Sequence, residues 1–285
     1  MSAEIIALIA CFFFSLQTVF VRIGLRSTSS TAAVILSSAV ACVGLWAAVF
    51  LFGQMEIPGL ASLGFLALGG IMSPALSWIL FFEGIIRVGM VRAAPLSDIA
   101  PFLAALGGVL FFHEQVTPGI GIGMFAILVG VLLITVEREE RVFRRRDLAL
   151  PLLSSLSFGA SLIFRKAALD RGALPLFGAA TGTTVGLLCL LLISRLSPSL
   201  RSLRTAPADT PYLILAGLAI TIAYGLYFSA LKIGTLVTVA PIINISPLFS
   251  LLIGVMFLRQ YERFTVTVII GTLFIISGVA LLTAL

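Results

Sequence analysis

Charge is what this sequence has least of: only 11% of its 285 residues are charged, against about a quarter in soluble domains. That excludes a soluble catalytic domain of ordinary size. There is one histidine, His113, and it lies at the edge of an apolar run, which excludes a histidine-rich zinc site and a His-based triad. The three cysteines, Cys11, Cys42 and Cys189, all fall inside apolar segments, so they form neither a disulfide framework nor a spaced metal site. No G-x-x-x-x-G-K-[ST] occurs, which excludes ATP driving by this chain alone. No cofactor or metal is expected.

Hydrophobic residues, by contrast, make up 60% of the chain. A membrane-spanning helix needs roughly 20 apolar residues. The sequence parses into ten such stretches, approximately Ala3–Gly24, Thr31–Gly53, Gly59–Ile86, Met90–Phe112, Pro118–Val136, Leu148–Leu169, Leu174–Ser194, Pro211–Leu231, Leu236–Phe257 and Thr265–Ala284. Thr117 before Pro118 reads as an N-cap with a first-turn proline, and Pro211 opens the eighth span in the same way. The first run has no basic residue ahead of it and no small-residue cleavage site behind it, so it is expected to be a retained span.

The longest charge run, EREERVFRRRD at 137–147, divides the chain into halves at 1–136 and 148–285, each of five spans. It reads as a solvated connector, and its arginine cluster at Arg144, Arg145 and Arg146 would also suit anionic lipid headgroups. Loops after odd-numbered spans hold 14 Lys and Arg, and the opposite side holds four, Arg165, Lys166, Arg171 and Lys232. The positive-inside rule therefore places the connector in the cytoplasm and both termini outside. The net charge of +6 is a topology signal and gives no reason to expect nucleic acid.

The halves repeat one another at an offset that grows from 144 to 148. Ala94, Pro95 and Pro101 match Ala240, Pro241 and Pro247; Glu114 and Thr117 match Glu262 and Thr265; Gly123, Gly130 and Val131 match Gly271, Gly278 and Val279. Upstream, Arg22 matches Lys166, and Arg87 with Gly89 matches Lys232 with Gly234. Five is odd, so a second copy must enter the membrane in the opposite direction. The expected fold is an all-α polytopic membrane protein of ten transmembrane helices in two inverted five-helix repeats, an architecture of secondary transporters.

The segments APLSDIAPFLAALGGVLFFHEQVTPGIGIGMFAILVGVLL and APIINISPLFSLLIGVMFLRQYERFTVTVIIGTLFIISGVAL resemble the two EamA domains of the drug/metabolite transporter superfamily. The resemblance covers essentially the whole chain. It implies a cavity surrounded by spans 1, 3, 4, 6, 8 and 9, and export or exchange of small metabolites, with amino-acid exporters prominent among bacterial members. Many members have cytoplasmic termini, the reverse of what the charge count gives here.

Asp98 is a carboxylate well inside an apolar segment, which costs at least a few kcal/mol and marks a candidate site. Its repeat partner is Asn244. Pro95 and Pro101 flank the first, Pro241 and Pro247 the second. Each proline removes one helical hydrogen bond, which frees the carbonyls of Val91, Ser97, Val237 and Ile243 and bends or opens the helix. Asp98 would bind a cationic group or take up a coupling proton, with Asn244 supplying a neutral hydrogen bond. The alternative role for Asp98 is structural, pairing with an arginine such as Arg92 or capping freed amides. Gln17 and its counterpart Ser161, Trp78, Tyr224 and Tyr227 complete the candidate substrate-binding set. Glu114 and Glu262, just ahead of their threonines, suit turn formation or a gating ion pair.

These readings combine into a transporter, not an enzyme, that exports amino acids or related amphiphiles by alternating access from a bacterial inner membrane. Its partners are the bilayer, a small-molecule substrate and the proton as candidate coupling ion, and the oligomeric state stays open, with a monomer compatible. The alternatives are an obligate exchanger and a carrier of anionic or lipid-linked substrates. An anion would call for Lys or Arg in the pocket, whereas Asp98 is the charge that the sequence reading places there. An intramembrane enzyme would need a cluster of His, Asp or Cys at one depth, which the sequence lacks.

Overall fold

The computed structural model describes residues 2–88, 96–97, 99–135, 145–196, 205–246, 248–249, 253 and 266–283. Among them every regular element is helical. We number the helices α1 (Ala3–Gly24), α2 (Ser30–Leu51), α3 (Leu60–Gly70), α4 (Ser77–Val88), α5 (Ala100–Phe112), α6 (Pro118–Thr135), α7 (Ala149–Asp170), α8 (Pro175–Leu196), α9 (Thr210–Ile233), α10 (Leu236–Ile243) and α11 (Val266–Thr283). Six segments are long and apolar enough to cross a membrane, and Ala100–Phe112 and Pro118–Leu133 are shorter apolar helices. A helix of 22 residues such as α1 runs about 33 Å, close to the roughly 30 Å hydrocarbon core. Large apolar side chains such as Leu51, Phe111 and Leu273 are exposed, as a surface facing lipid tails requires.

Local chemistry sets the helix ends. The Ser29 hydroxyl accepts from the Ala32 amide at 3.4 Å at the start of α2, and Thr117 accepts from the Ile120 amide at 3.3 Å at the start of α6. Helix α6 begins at Pro118 and α9 has Pro211 in its first turn, as the sequence leads one to expect. Gly172, with φ at +99°, turns the chain left-handed after α7.

The third span departs from its sequence reading as one continuous helix. Between α3 and α4 the backbone leaves the helix at Ser73 (φ −152°, ψ 131°). Proline disfavours helical geometry in the residue before it, and Pro74 follows. Side chains of α7 serve the exposed carbonyls: Ser154 donates to Ser77 at 2.7 Å, Ser157 to Met72 at 2.9 Å, and Arg165 to Ser73 at 2.8 Å. Successive members of this set sit three and eight positions apart, so they form a polar stripe along one side of α7.

Helices from the two halves pair intimately, α1 along α9 and α6 along α11. In the second pair, a Cβ added to Gly130 would stand 2.6 Å from the carbonyl oxygen of Gly271, and one added to Gly278 would stand 2.6 Å from that of Gly123. The neighbouring contacts follow the same exchange: Gly130 meets Ile275, and Gly278 meets Ile127. Every residue in this set is 148 positions from its counterpart.

Candidate functional site

Proline shapes the second opening in the helices as well as the first. Helix α10 carries Pro241 and ends at Ile243, with Asn244 as its C-cap. Helix α1 supplies the missing donors: the Cys11 thiol donates to the Ile243 carbonyl at 3.5 Å, and the Ser15 hydroxyl to the Ser246 carbonyl at 2.9 Å. Ile243 is one of the carbonyls that the sequence marks as freed.

The two interrupted segments border one cavity of about 190 Å³. Its wall takes Phe14, Gln17 and Thr18 from α1, Trp78 from α4, Pro101 from α5, and Phe158, Leu162 and Arg165 from α7. Ile220, Tyr224 and Tyr227 come from α9, and Ala240, Ile243, Asn244 and Ser246 from α10 and the residues after it. These belong to spans 1, 3, 4, 6, 8 and 9, the set that the resemblance implies. Repeat-related residues share the wall: Phe14 with Phe158, and Thr18 with Leu162, each pair 144 positions apart. Pockets for drug-sized ligands run to roughly 300–1,000 Å³, so this one suits a small metabolite.

Of the sequence candidates, Gln17, Trp78, Pro101, Tyr224, Tyr227 and Asn244 thus come together on one cavity. Pro241 sits in α10 beside lining Ala240. Ser161 is fully buried and bonds back to the Phe158 carbonyl at 2.7 Å, and it is not among the lining residues. Asp98, Pro95 and Pro247 lie outside the described residues.

The sequence reading misses Arg165 as a site residue: it lies near the end of the sixth span and is counted only among the basic residues of the side opposite the connector. The structure places it within α7, 4% exposed, and makes it the charged member of the described lining. Its guanidinium carbon stands 5.5 Å from the ring centres of both Tyr224 and Phe228, a cation–π arrangement that offsets part of the desolvation. Its charge also acts on the Tyr227 hydroxyl. One terminal nitrogen is spent on Ser73, while Nε is buried without a hydrogen-bond partner among the described residues. The Tyr227 hydroxyl is buried as well, with the Arg165 side chain as its polar neighbour. An unmet buried donor costs about 1–3 kcal/mol, and more when charged. The repeat held a sequence clue: at the offset of 144 that pairs Arg22 with Lys166, Arg165 falls on Val21, a charge that duplication does not account for.

The Glu114 amide closes the turn after α5 by donating to the Gly108 carbonyl at 3.2 Å, and its side chain forms no ion pair among the described residues, outside which Glu262 lies. The two carboxylate oxygens of Glu114 accept from the Leu236 and Val237 amides, each at 2.9 Å. It caps α10, in the opposite half of the chain, where a helix N-terminus favours an anion. Lys166 and Lys232 join the ends of α7 and α9: Lys166 donates to the Leu231 and Gly234 carbonyls at 3.0 and 2.8 Å, and Lys232 to the Leu169 carbonyl.

A fold of this kind has known relatives. A solved crystal structure of a protein superposes with a TM-score of 0.80 at 15% identity, covering 99% of this chain and 97% of that one. An uncharacterized transporter from the cobO 3' region of Sinorhizobium sp is 33% identical over 134 residues, 46% of this chain and 94% of that protein. The model of the EamA-like transporter family matches residues 1–136 and 147–284, nearly all of the chain on both sides of the connector. This multi-pass membrane protein, its cavity walled by helices from both matched segments, belongs to the EamA-like transporter family.

Proposed function

We propose that the protein is a secondary transporter that exports small organic metabolites, amino acids or related amphiphiles, by alternating access, with the proton as coupling ion. The observation that carries the reading is the small cavity between the two halves, apolar over much of its wall but bearing an amide, phenols, an indole and one guanidinium. Such a mixture fits a ligand with an apolar body and a polar head. Interrupted helices beside the cavity are the usual form of a transporter's central site. The exchange-related contacts of α6 and α11 support an inverted duplication, whose halves can rock about a site between them. Asp98 is the proposed proton or amine site and Asn244 its neutral partner.

Efflux from proteoliposomes tests this reading. Vesicles loaded with labelled L-amino acids and diluted into substrate-free buffer should lose label at least tenfold faster than protein-free vesicles, and faster still under an imposed proton gradient. Loss that requires unlabelled substrate outside would identify an obligate exchanger instead. No loss of any amino acid or related amphiphile would overturn the reading.

A further inference from the structure

Two buried polar groups on the wall of one cavity, Arg165 Nε and the Tyr227 hydroxyl, have no described hydrogen-bond partner beyond the interaction of the two side chains with each other. Both residues are more than nine-tenths buried, so bulk water does not account for them. Bracing the break at Ser73 takes one donor from Arg165, which a lysine or a serine could supply equally well. A guanidinium has five donors in a rigid planar fork, and that fork matches the two oxygens of a carboxylate. The faces of Tyr224 and Phe228 hold the cation without consuming any N–H. Tyrosine adds a neutral O–H of the kind that completes an anion site.

The geometry points to Arg165 and Tyr227 as the anchor for a carboxylate on the transported molecule, with the aromatic wall of Phe14 and Tyr224 against its apolar part. This rests on the transport reading and narrows it to substrates that carry a carboxylate. Arg165 also supplies the cation whose absence from the sequence reading argues against anionic substrates.

The test uses the purified full-length protein and a panel in which only the head group changes: L-amino acids, the amines left by removing their carboxyl group, and the acids left by removing their amino group. Thermal midpoints against ligand concentration give affinities. Carboxylate-bearing members should stabilise the wild type, and their amines should bind at least tenfold more weakly. Tyr227→Phe keeps the ring and removes only the hydroxyl, so it should fold and lose about tenfold for carboxylates while amines are unchanged. Arg165→Lys keeps a charge near Ser73 and should lose more. Equal binding of carboxylates and amines, or carboxylate affinities unchanged in both variants, would overturn the anchor and leave the transport reading standing. Silence across the whole panel would overturn both.

Discussion

Gly130 and Gly271 touch backbone to backbone, and Gly278 and Gly123 repeat the contact with the partners exchanged. A methyl group added at Gly130 or Gly278 meets a carbonyl oxygen at 2.6 Å, and backbone cannot swing aside as a flexible side chain can. Gly130→Ala and Gly278→Ala should each destabilise by about 1–3 kcal/mol, by similar amounts because the contacts are equivalent. Gly64→Ala, where an added Cβ meets nothing within 4 Å, should be neutral or slightly stabilising. Thermal unfolding in detergent measures all three, and a large drop for Gly64→Ala alone would contradict the packing argument.

Glu114 ties one half of the chain to the other through two amides that open α10. Charge-assisted hydrogen bonds of this kind contribute about 1.5–3 kcal/mol each before the carboxylate's own desolvation is subtracted. Glu114→Ala should therefore cost about 1–3 kcal/mol, and Glu114→Gln, which retains one acceptor, should cost less. Faster hydrogen exchange at Leu236 and Val237 in the alanine variant would locate the loss at the cap. Unchanged exchange there would mean that water or another group replaces the carboxylate.

Lys166 and Asp170 form an ion pair of 3.0 Å whose members stand in different surroundings, the lysine side chain 10% exposed and the aspartate 37%. Asp170→Asn should change stability by less than about 1 kcal/mol, since solvent screens the exposed carboxylate. Lys166→Met strands the Leu231 and Gly234 carbonyls at the end of α9 and should cost about 1–3 kcal/mol. Comparing the two thermal midpoints separates the cap from the ion pair. Equal losses would show that Lys166 acts mainly through Asp170.

Hydropathy made most of the spans legible because crossing a bilayer demands long apolar runs whatever the packing. The cavity set was legible in part because polar and aromatic groups within such runs have few other uses, and Gln17, Trp78, Tyr224, Tyr227 and Asn244 do meet. Ser161 shows the limit of that reasoning: a serine is short enough to bond its own helix, and it does so at Phe158. Arg165 was hidden because a basic residue near the end of an apolar run reads as a loop charge, and only the packing of α7 against the break at Ser73 and the rings of α9 buries it. Pro74 lies inside the third span, which the sequence reading takes as one continuous helix, and a lone proline does not say which neighbour supplies the missing donors.

The same charges predict an orientation in the membrane. Setting aside the basic residues within described α-helices, Arg22, Arg87 and Arg195 on the side of the connector and Arg165, Lys166 and Lys232 on the other, leaves 11 against one, Arg171. Lys232 is itself drawn to the Leu169 carbonyl. The positive-inside rule counts charges that must stay in the cytoplasm during insertion, and nearly all of those here flank the odd-numbered loops. A reporter active only in the cytoplasm should therefore stay silent when fused after Leu285 and respond when placed in the connector at 137–147. A bright signal from the C-terminal fusion would reverse the orientation, and with it the side from which the Arg165 cavity is loaded, while leaving the helix packing as it is.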